Sequence, residues 1–125
     1  MIELVDTNVI LRYLVGDNKN QKEEAKRWFK EAKDDKRKLV IKPLVIAEAC
    51  FVLESFYKKN REEIANVFEV FLSQRWLGVD DREAMLSLWF WYRQKLHFVD
   101  SYLLALAKSN HSKLLSFDKK LLKFE

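Results

Sequence analysis

The chain of 125 residues is poor in the residues that punctuate and cross-link a fold: two glycines, one proline, one cysteine and two histidines. Each scarcity removes a class of chemistry. A lone cysteine, Cys50, admits no internal disulfide and fits a reducing cytoplasm. Two isolated glycines build neither a glycine-rich phosphate loop nor a G-x-S-x-G nucleophile turn. His97 and His111 stand apart, with no second His or Cys at zinc-ligand spacing, so surface roles suffice for them. No apolar run reaches the ~20 residues of a membrane span, and the start lacks the basic-then-apolar pattern of a signal peptide. The expectation is a cytoplasmic chain with no membrane role. So little Gly and Pro also favours long helices joined by short connections.

What is present describes a globular domain. A composition 49% hydrophobic and 34% charged, over this length, supports a single domain covering 1–125 with a sizeable core. The 23 basic and 19 acidic residues leave a net charge of +4, a mild attraction for polyanions. That balance becomes informative only if several acids are spent in one place, leaving a basic body around an acidic hole.

Along the chain, apolar strands alternate with helices. Residues 2–6 (IELVD) read as a short strand and TNVILRYLV as the helix that follows. Asn18 and Asn20 open QKEEAKRWFKEAK, with Asn20 and Glu23 at capping-box spacing and Ala25, Trp28, Phe29 and Ala32 on one stripe. KDDKRK (33–38) reads as a solvated turn and LVIK (39–42) as a buried strand. Pro43 suits the first turn of a helix running to about Lys58. REEIANVFEVFLSQ forms another helix, WLGV (76–79) a strand, and Asp80 or Asp81 caps REAMLSLWFWYRQK. Asp100 begins SYLLALAKSN, and KLLSF (113–117) makes a last strand ending at Asp118. This alternation predicts an α/β domain with a parallel sheet covered on both faces, whose ligands bind beyond the carboxyl ends of the strands.

One carboxylate stands out locally. In PLVIAEACFVL (43–53) the helical neighbours of Glu48 are Leu44, Val45, Phe51 and Val52, so its face reads as greasy. An ionised group buried there requires a partner, a hydrogen bond or a metal. Asp6 and Asp118 sit at two strand ends and Asp100 at a helix start, so four carboxylates fall where the fold class puts ligands. Taken singly, Asp6, Asp100 and Asp118 each read more simply as helix N-caps, which are far commoner than ligands.

These stretches resemble the PIN-domain family of nucleases, and within it the small VapC-type toxins of toxin–antitoxin pairs. Asp6-Thr7-Asn8 after an apolar strand is similar to the family's opening acid motif. Glu48 follows on an apolar helix after the second strand, Asp100 begins DSYLLALAK, and LLSFDKKL closes with Ser116 where Thr or Ser is usual and Asp118 two residues later. The resemblance spans nearly the whole chain, in order. It departs from the pattern at Glu125, soon after the last motif, where many relatives carry another short strand.

The resemblance implies a PIN-like three-layer α/β/α sandwich with a short, mostly parallel central sheet, and a divalent-metal-dependent endoribonuclease. Hydrolysis of a phosphodiester needs an activated water and stabilised oxyanions, and all-oxygen ligands suit Mg²⁺ or Mn²⁺. Without a cation, crowded carboxylates repel one another. Asp6 and Asp100 are expected to bind metal directly, with Glu48 and Asp118 holding metal-bound waters, a second ion or the attacking water. Asn8 and Ser116, and less directly Thr7, are expected to orient carboxylates. Arg12, Lys42, Lys119 and Lys120 flank the expected rim as phosphate contacts, with Arg75, Arg82, Arg93, Lys95 and Lys113 more distant. The resemblance further implies an RNA substrate, a homodimer and silencing by a VapB-like antitoxin. Trp89, Phe90, Trp91 and Tyr92 are too splayed for one helix face, so some must meet another helix, a partner chain or solvent: either core on two sides or a dimer or antitoxin contact. Two alternatives stay open: a housekeeping RNA-processing PIN nuclease without antitoxin, and a non-cleaving PIN-like module that binds RNA or protein.

Overall fold

A parallel three-stranded sheet anchors the N-terminal half of the chain. The computed structural model describes all residues, Met1–Glu125, and divides them into two compact units. The first comprises Met1–Asn60 and Gln74–Asp80; the second comprises Arg61–Ser73 and Asp81–Glu125.

In the first unit the elements are β1 (Ile2–Leu4), α1 (Thr7–Val15), α2 (Lys19–Lys33), β2 (Lys38–Ile41), α3 (Pro43–Ser55) and β3 (Gly78–Val79). The sheet order is β1-β2-β3, with Leu4 beside Val40 and Ile41 beside Val79. The Val5 N–H donates to the Val40 carbonyl, carrying the pairing one residue past β1. Gly78 is required where β2 and β3 meet, because a Cβ there would lie 2.8 Å from the Leu39 carbonyl oxygen. Helices follow β1 and β2 as crossovers, as parallel pairing demands. The expected α/β class with a short parallel sheet therefore holds. Its coverage is uneven at the edge strand, where Ile2 and Leu4 are exposed.

The helices form where the apolar periodicity places them. In α2, Ala25, Phe29 and Ala32 are buried at i, i+4 and i+7, while Trp28 is half-buried. Its N-cap is Asn18, whose side chain accepts from the Gln21 N–H, so Asn20 lies inside the helix and the expected capping box with Glu23 does not form. Pro43 occupies the first turn of α3, which buries Ile46, Ala49, Cys50 and Leu53. The helix stops at Ser55 rather than Lys58, because Lys58 turns left-handed at φ 56° and the Lys59 N–H closes back on the Leu53 carbonyl.

The second unit holds α4 (Arg61–Leu72), α5 (Arg82–Ser87), α6 (Trp89–Tyr92), α7 (Phe98–Ser109) and α8 (Lys119–Leu122). Its centre is aromatic: Trp89 stacks on Phe68 at 5.4 Å and meets Tyr92 edge-on at 5.3 Å. Trp89, Trp91 and Tyr92 are buried and only Phe90 is exposed, so three of the four consecutive aromatics are core. Arg93, expected as a distant phosphate contact, is instead held by Glu62, Glu69 and Asn66. Arg82 likewise donates to the Leu72 carbonyl.

Two expectations fail in this unit. KLLSF (113–117) forms no strand: Leu114 alone is buried, and its N–H is taken by the Glu125 side chain instead of a strand carbonyl. Leu115 and Phe117 point to solvent, so the segment has neither ladder nor buried face to hold it extended. Asp81 stands at the N-cap of α5 in a left-handed conformation with no side-chain cap; its carboxylate accepts from Tyr102 at 2.5 Å. In the first unit Asp80 is no cap either, and pairs with Lys42 at 2.5 Å.

Glycine scarcity leaves a mark on the helix ends. Gly16 closes α1 at φ 75°, but Asp35, Lys58, Lys95 and His111 take the same left-handed turn without it, at φ 61°, 56°, 71° and 54°. Each puts a Cβ where one is unfavourable, at a cost on the order of 1 kcal/mol.

Candidate active site

The four acids fall two to each unit: Asp6 and Glu48 in the first, Asp100 and Asp118 in the second. Within neither unit do three or more His, Cys, Asp or Glu side chains gather closely enough to hold a metal ion.

Asp6 occupies the N-cap position of α1, directly after β1, with extended backbone at φ −80° and ψ 155°. Its backbone carbonyl accepts the first helical N–H groups from Val9 and Ile10, yet its side chain makes no capping bond. The cap reading of this carboxylate therefore fails. The group is exposed, lines a cavity of about 270 Å³ with Trp28 and Arg37, and takes no hydrogen bond or ion pair.

Glu48 overturns the premise drawn from its sequence neighbours. It is exposed, and so are Leu44 at 83% and Phe51 at 70%. The apolar stripe around it faces out, because α3 buries the opposite side through Ile46, Ala49, Cys50 and Leu53. Glu48 thus needs no partner to escape desolvation. It has one nonetheless: the Thr7 hydroxyl donates to Glu48 Oε1 at 2.5 Å. Thr7 is 5% exposed, so the first residue of α1 and the second turn of α3 are tied by a largely buried donor. Sequence reasoning ranked Thr7 below Asn8 and Ser116; the structure reverses that order.

Asn8 is exposed and lines a separate cavity of about 170 Å³ with Arg12 and Trp28, and it orients neither Asp6 nor Glu48. Arg12 is committed elsewhere. Its guanidinium donates to Asp17 at 3.0 Å, Gln21 at 2.8 Å and Tyr57 at 3.4 Å. Tyr57 also donates to Asp17 at 2.6 Å, and that bond, followed by the Arg12 charge, holds the Asp17 carboxyl below its ordinary value. The same bond raises the Tyr57 phenol. Arg12 is therefore a structural clasp between α1 and α2, and Lys42 is likewise paired with Asp80.

In the second unit Asp100 lies in the first turn of α7, three residues past the N-cap position of His97. It is half-buried and neither caps nor pairs. Asp118 is exposed and caps α8, its Oδ1 accepting from the Lys120 and Leu121 N–H groups at 2.9 and 3.3 Å. The Ser116 hydroxyl accepts from the Asp118 N–H at 3.0 Å, so Ser116 fixes the backbone of Asp118 rather than its carboxylate. Asp100 and Asp118 share one cavity of about 350 Å³ with Lys95, His97 and Lys120. Lys119 is exposed outside it. His97 and Lys95 are the cavity residues that sequence reasoning left at the margin, since neither belongs to a spacing motif.

Each pair offers carboxylate oxygen, the ligand type that a hard divalent cation prefers. Commitment differs among the acids: Glu48 and Asp118 each spend one oxygen on a protein donor, whereas Asp6 and Asp100 spend none.

A family model described as PIN domain matches residues 4–125. A VapC ribonuclease of Aquifex aeolicus (strain VF5) is 33% identical over 79 residues, which is 63% of this chain. The aligned region spans 58% of that relative's length. No solved structure matches. No helix is long and apolar enough to cross a membrane.

Proposed function

The chain belongs to the PIN domain family, and from that premise we propose that it is a divalent-metal-dependent endoribonuclease of the VapC type. The observation that carries the reading is the pair of uncommitted carboxylates, Asp6 and Asp100, at the two motif positions expected to bind metal directly. Asp6 is placed by the end of β1 and the start of α1, and Asp100 by the first turn of α7, so both are mounted on regular structure.

The family resemblance assigns the ion to Asp6 and Asp100, with Glu48 and Asp118 accepting hydrogen bonds from water around it. Mg²⁺ or Mn²⁺, when bound, supplies Lewis acidity and lowers the pKa of bound water. Thr7 restricts Glu48 by donating to one of its oxygens, which leaves the other to take a water proton. Asp118 is restrained in the same way by the first N–H groups of α8. Lys120 lines the cavity of Asp100 and Asp118, and Lys119 before it is exposed, both as contacts for RNA phosphates. Arg12 and Lys42 are withdrawn from that duty by their pairing with Asp17 and Asp80.

The wider reading is a cytoplasmic toxin, active as a homodimer and silenced by a VapB-like antitoxin. The exposed apolar residues of α3, Leu44 and Phe51, support a partner surface on that helix. The test is purified protein on structured RNAs with Mg²⁺, Mn²⁺ or EDTA. Asp6→Asn and Asp100→Asn are each expected to lower cleavage by at least ~100-fold while keeping the fold. Cleavage that survives EDTA removes the metal from the account. A short neighbouring reading frame encoding a basic partner separates a toxin from a housekeeping nuclease.

A further inference from the structure

Resting on the nuclease reading above, we propose that the cavity of Asp100 and Asp118 is also a one-nucleotide subsite for single-stranded RNA. Lys95 and Lys120 hold a backbone phosphate there, and Phe124 takes a base.

The cavity encloses about 350 Å³, within the range of small-ligand sites. Two lysines share it with two carboxylates, yet neither Lys95 nor Lys120 forms an ion pair with any acid. Opposite charges that share a concavity without neutralising one another suit a ligand with parts of both signs. A cation belongs on the carboxylates and a phosphate on the ammonium groups, which is the charge pattern of a metal-bound phosphodiester. Phe124 adds the third element. It is half-buried on the cavity wall and packs against no other ring, whereas Trp89, Tyr92 and Phe98 are all engaged in ring contacts. An aromatic face of this kind accepts any base, so the subsite carries little base preference.

Lys95 is fixed in place by its backbone. It is the left-handed residue that ends α6, with its N–H on the Tyr92 carbonyl and the Leu96 N–H on the Trp91 carbonyl. Arg61 locks this turn from α4. It donates to the Tyr92 carbonyl at 2.8 Å and to the Leu96 carbonyl, and its guanidinium stands 4.3 Å over the Tyr92 ring. Glycine suits the φ of 71° at position 95 better than lysine does. Other helices of this chain also end on non-glycine residues, so conformation alone does not single out Lys95. Its place on the wall of the acid-lined cavity does.

That geometry supplies the test, because Lys95→Gly removes the cation and relieves the backbone together. Binding of a short fluorescent single-stranded RNA to the full chain is followed by anisotropy in Ca²⁺, across a salt series. Lys95→Gly is expected to bind about three- to tenfold more weakly, with a salt slope shallower by about 0.7 and an unchanged or higher Tm. Phe124→Ala is expected to weaken binding about fivefold without changing the slope, and Lys123→Ala, outside the cavity, to change neither. Parent-like affinity and slope in Lys95→Gly overturn the subsite, even if the parent cleaves RNA with Mn²⁺. If the parent cleaves nothing but binds RNA with this Lys95 dependence, the nuclease reading falls and the subsite stands.

Discussion

The Thr7 hydroxyl donates to Glu48 Oε1 at 2.5 Å, joining the motif after β1 to the acid of α3. A hydroxyl can donate to either a carboxylate or an amide oxygen, so Glu48→Gln keeps the bond and Thr7→Val loses it. Thr7→Val is expected to destabilise the fold by about 1 kcal/mol in urea unfolding and to lower cleavage about tenfold. Glu48→Gln is expected to unfold at the parent's urea midpoint and still lose activity. A stable, fully active Thr7→Val would show that the bond does not position Glu48.

The outward face of α3 makes a second prediction. Phe51 is 70% exposed and Ile46 is fully buried one turn earlier on the opposite side. Phe51→Ser is therefore expected to shift stability by no more than about 0.5 kcal/mol, while Ile46→Ala costs about 2–5 kcal/mol. Equal losses in the two variants would mean that the stripe of Leu44, Glu48 and Phe51 is packed rather than open.

The Arg12–Asp17–Tyr57 clasp responds to pH at both ends. The Tyr57 hydrogen bond lowers the Asp17 carboxyl below its unfolded value, so its contribution to stability is present above the unfolded pKa and is lost as pH falls through the folded one. Tyr57 is raised by the same bond, so its contribution is present below the ordinary phenol value and lost as pH rises through the folded one. Tyr57→Phe is expected to move the Asp17 carboxyl upward in an NMR titration and to flatten the acid limb of the stability profile. An unmoved Asp17 titration would contradict the clasp.

Left-handed helix ends give a stability prediction independent of function. Lys58→Gly, at φ 56°, is expected to stabilise by about 0.5–1 kcal/mol, read as a higher urea midpoint. A midpoint lower than the parent's would show that the Lys58 side chain contributes more than its conformation costs.

Much of this architecture was legible in the residue order. The helix over TNVILRYLV forms over Thr7–Val15 because its apolar spacing buries Ile10 and Leu11 on one face, and Pro43 opens α3 as its fixed φ dictates. What failed were inferences that needed neighbours. Whether the apolar residues beside Glu48 face core or solvent depends on which side of α3 packs, and 3.6-residue periodicity is weak in a segment apolar nearly all round. KLLSF has strand-like residues, but a strand needs a partner ladder, and the Leu114 N–H finds a glutamate side chain instead. Chain order nominated the four acids, whereas the meeting of Asp81 with Tyr102, the pairing of Arg12 and the shared cavity of Lys95, His97 and Asp100 depend on packing between segments apart in sequence.

The most direct measurement is the rate of RNA cleavage by the parent and Asp100→Asn with Mn²⁺, with EDTA, and after Mn²⁺ is restored. The account predicts cleavage that EDTA abolishes and Mn²⁺ restores in the parent, and a loss of at least ~100-fold in Asp100→Asn with its Tm unchanged. Cleavage in EDTA, or an Asp100→Asn variant as active as the parent, would contradict it.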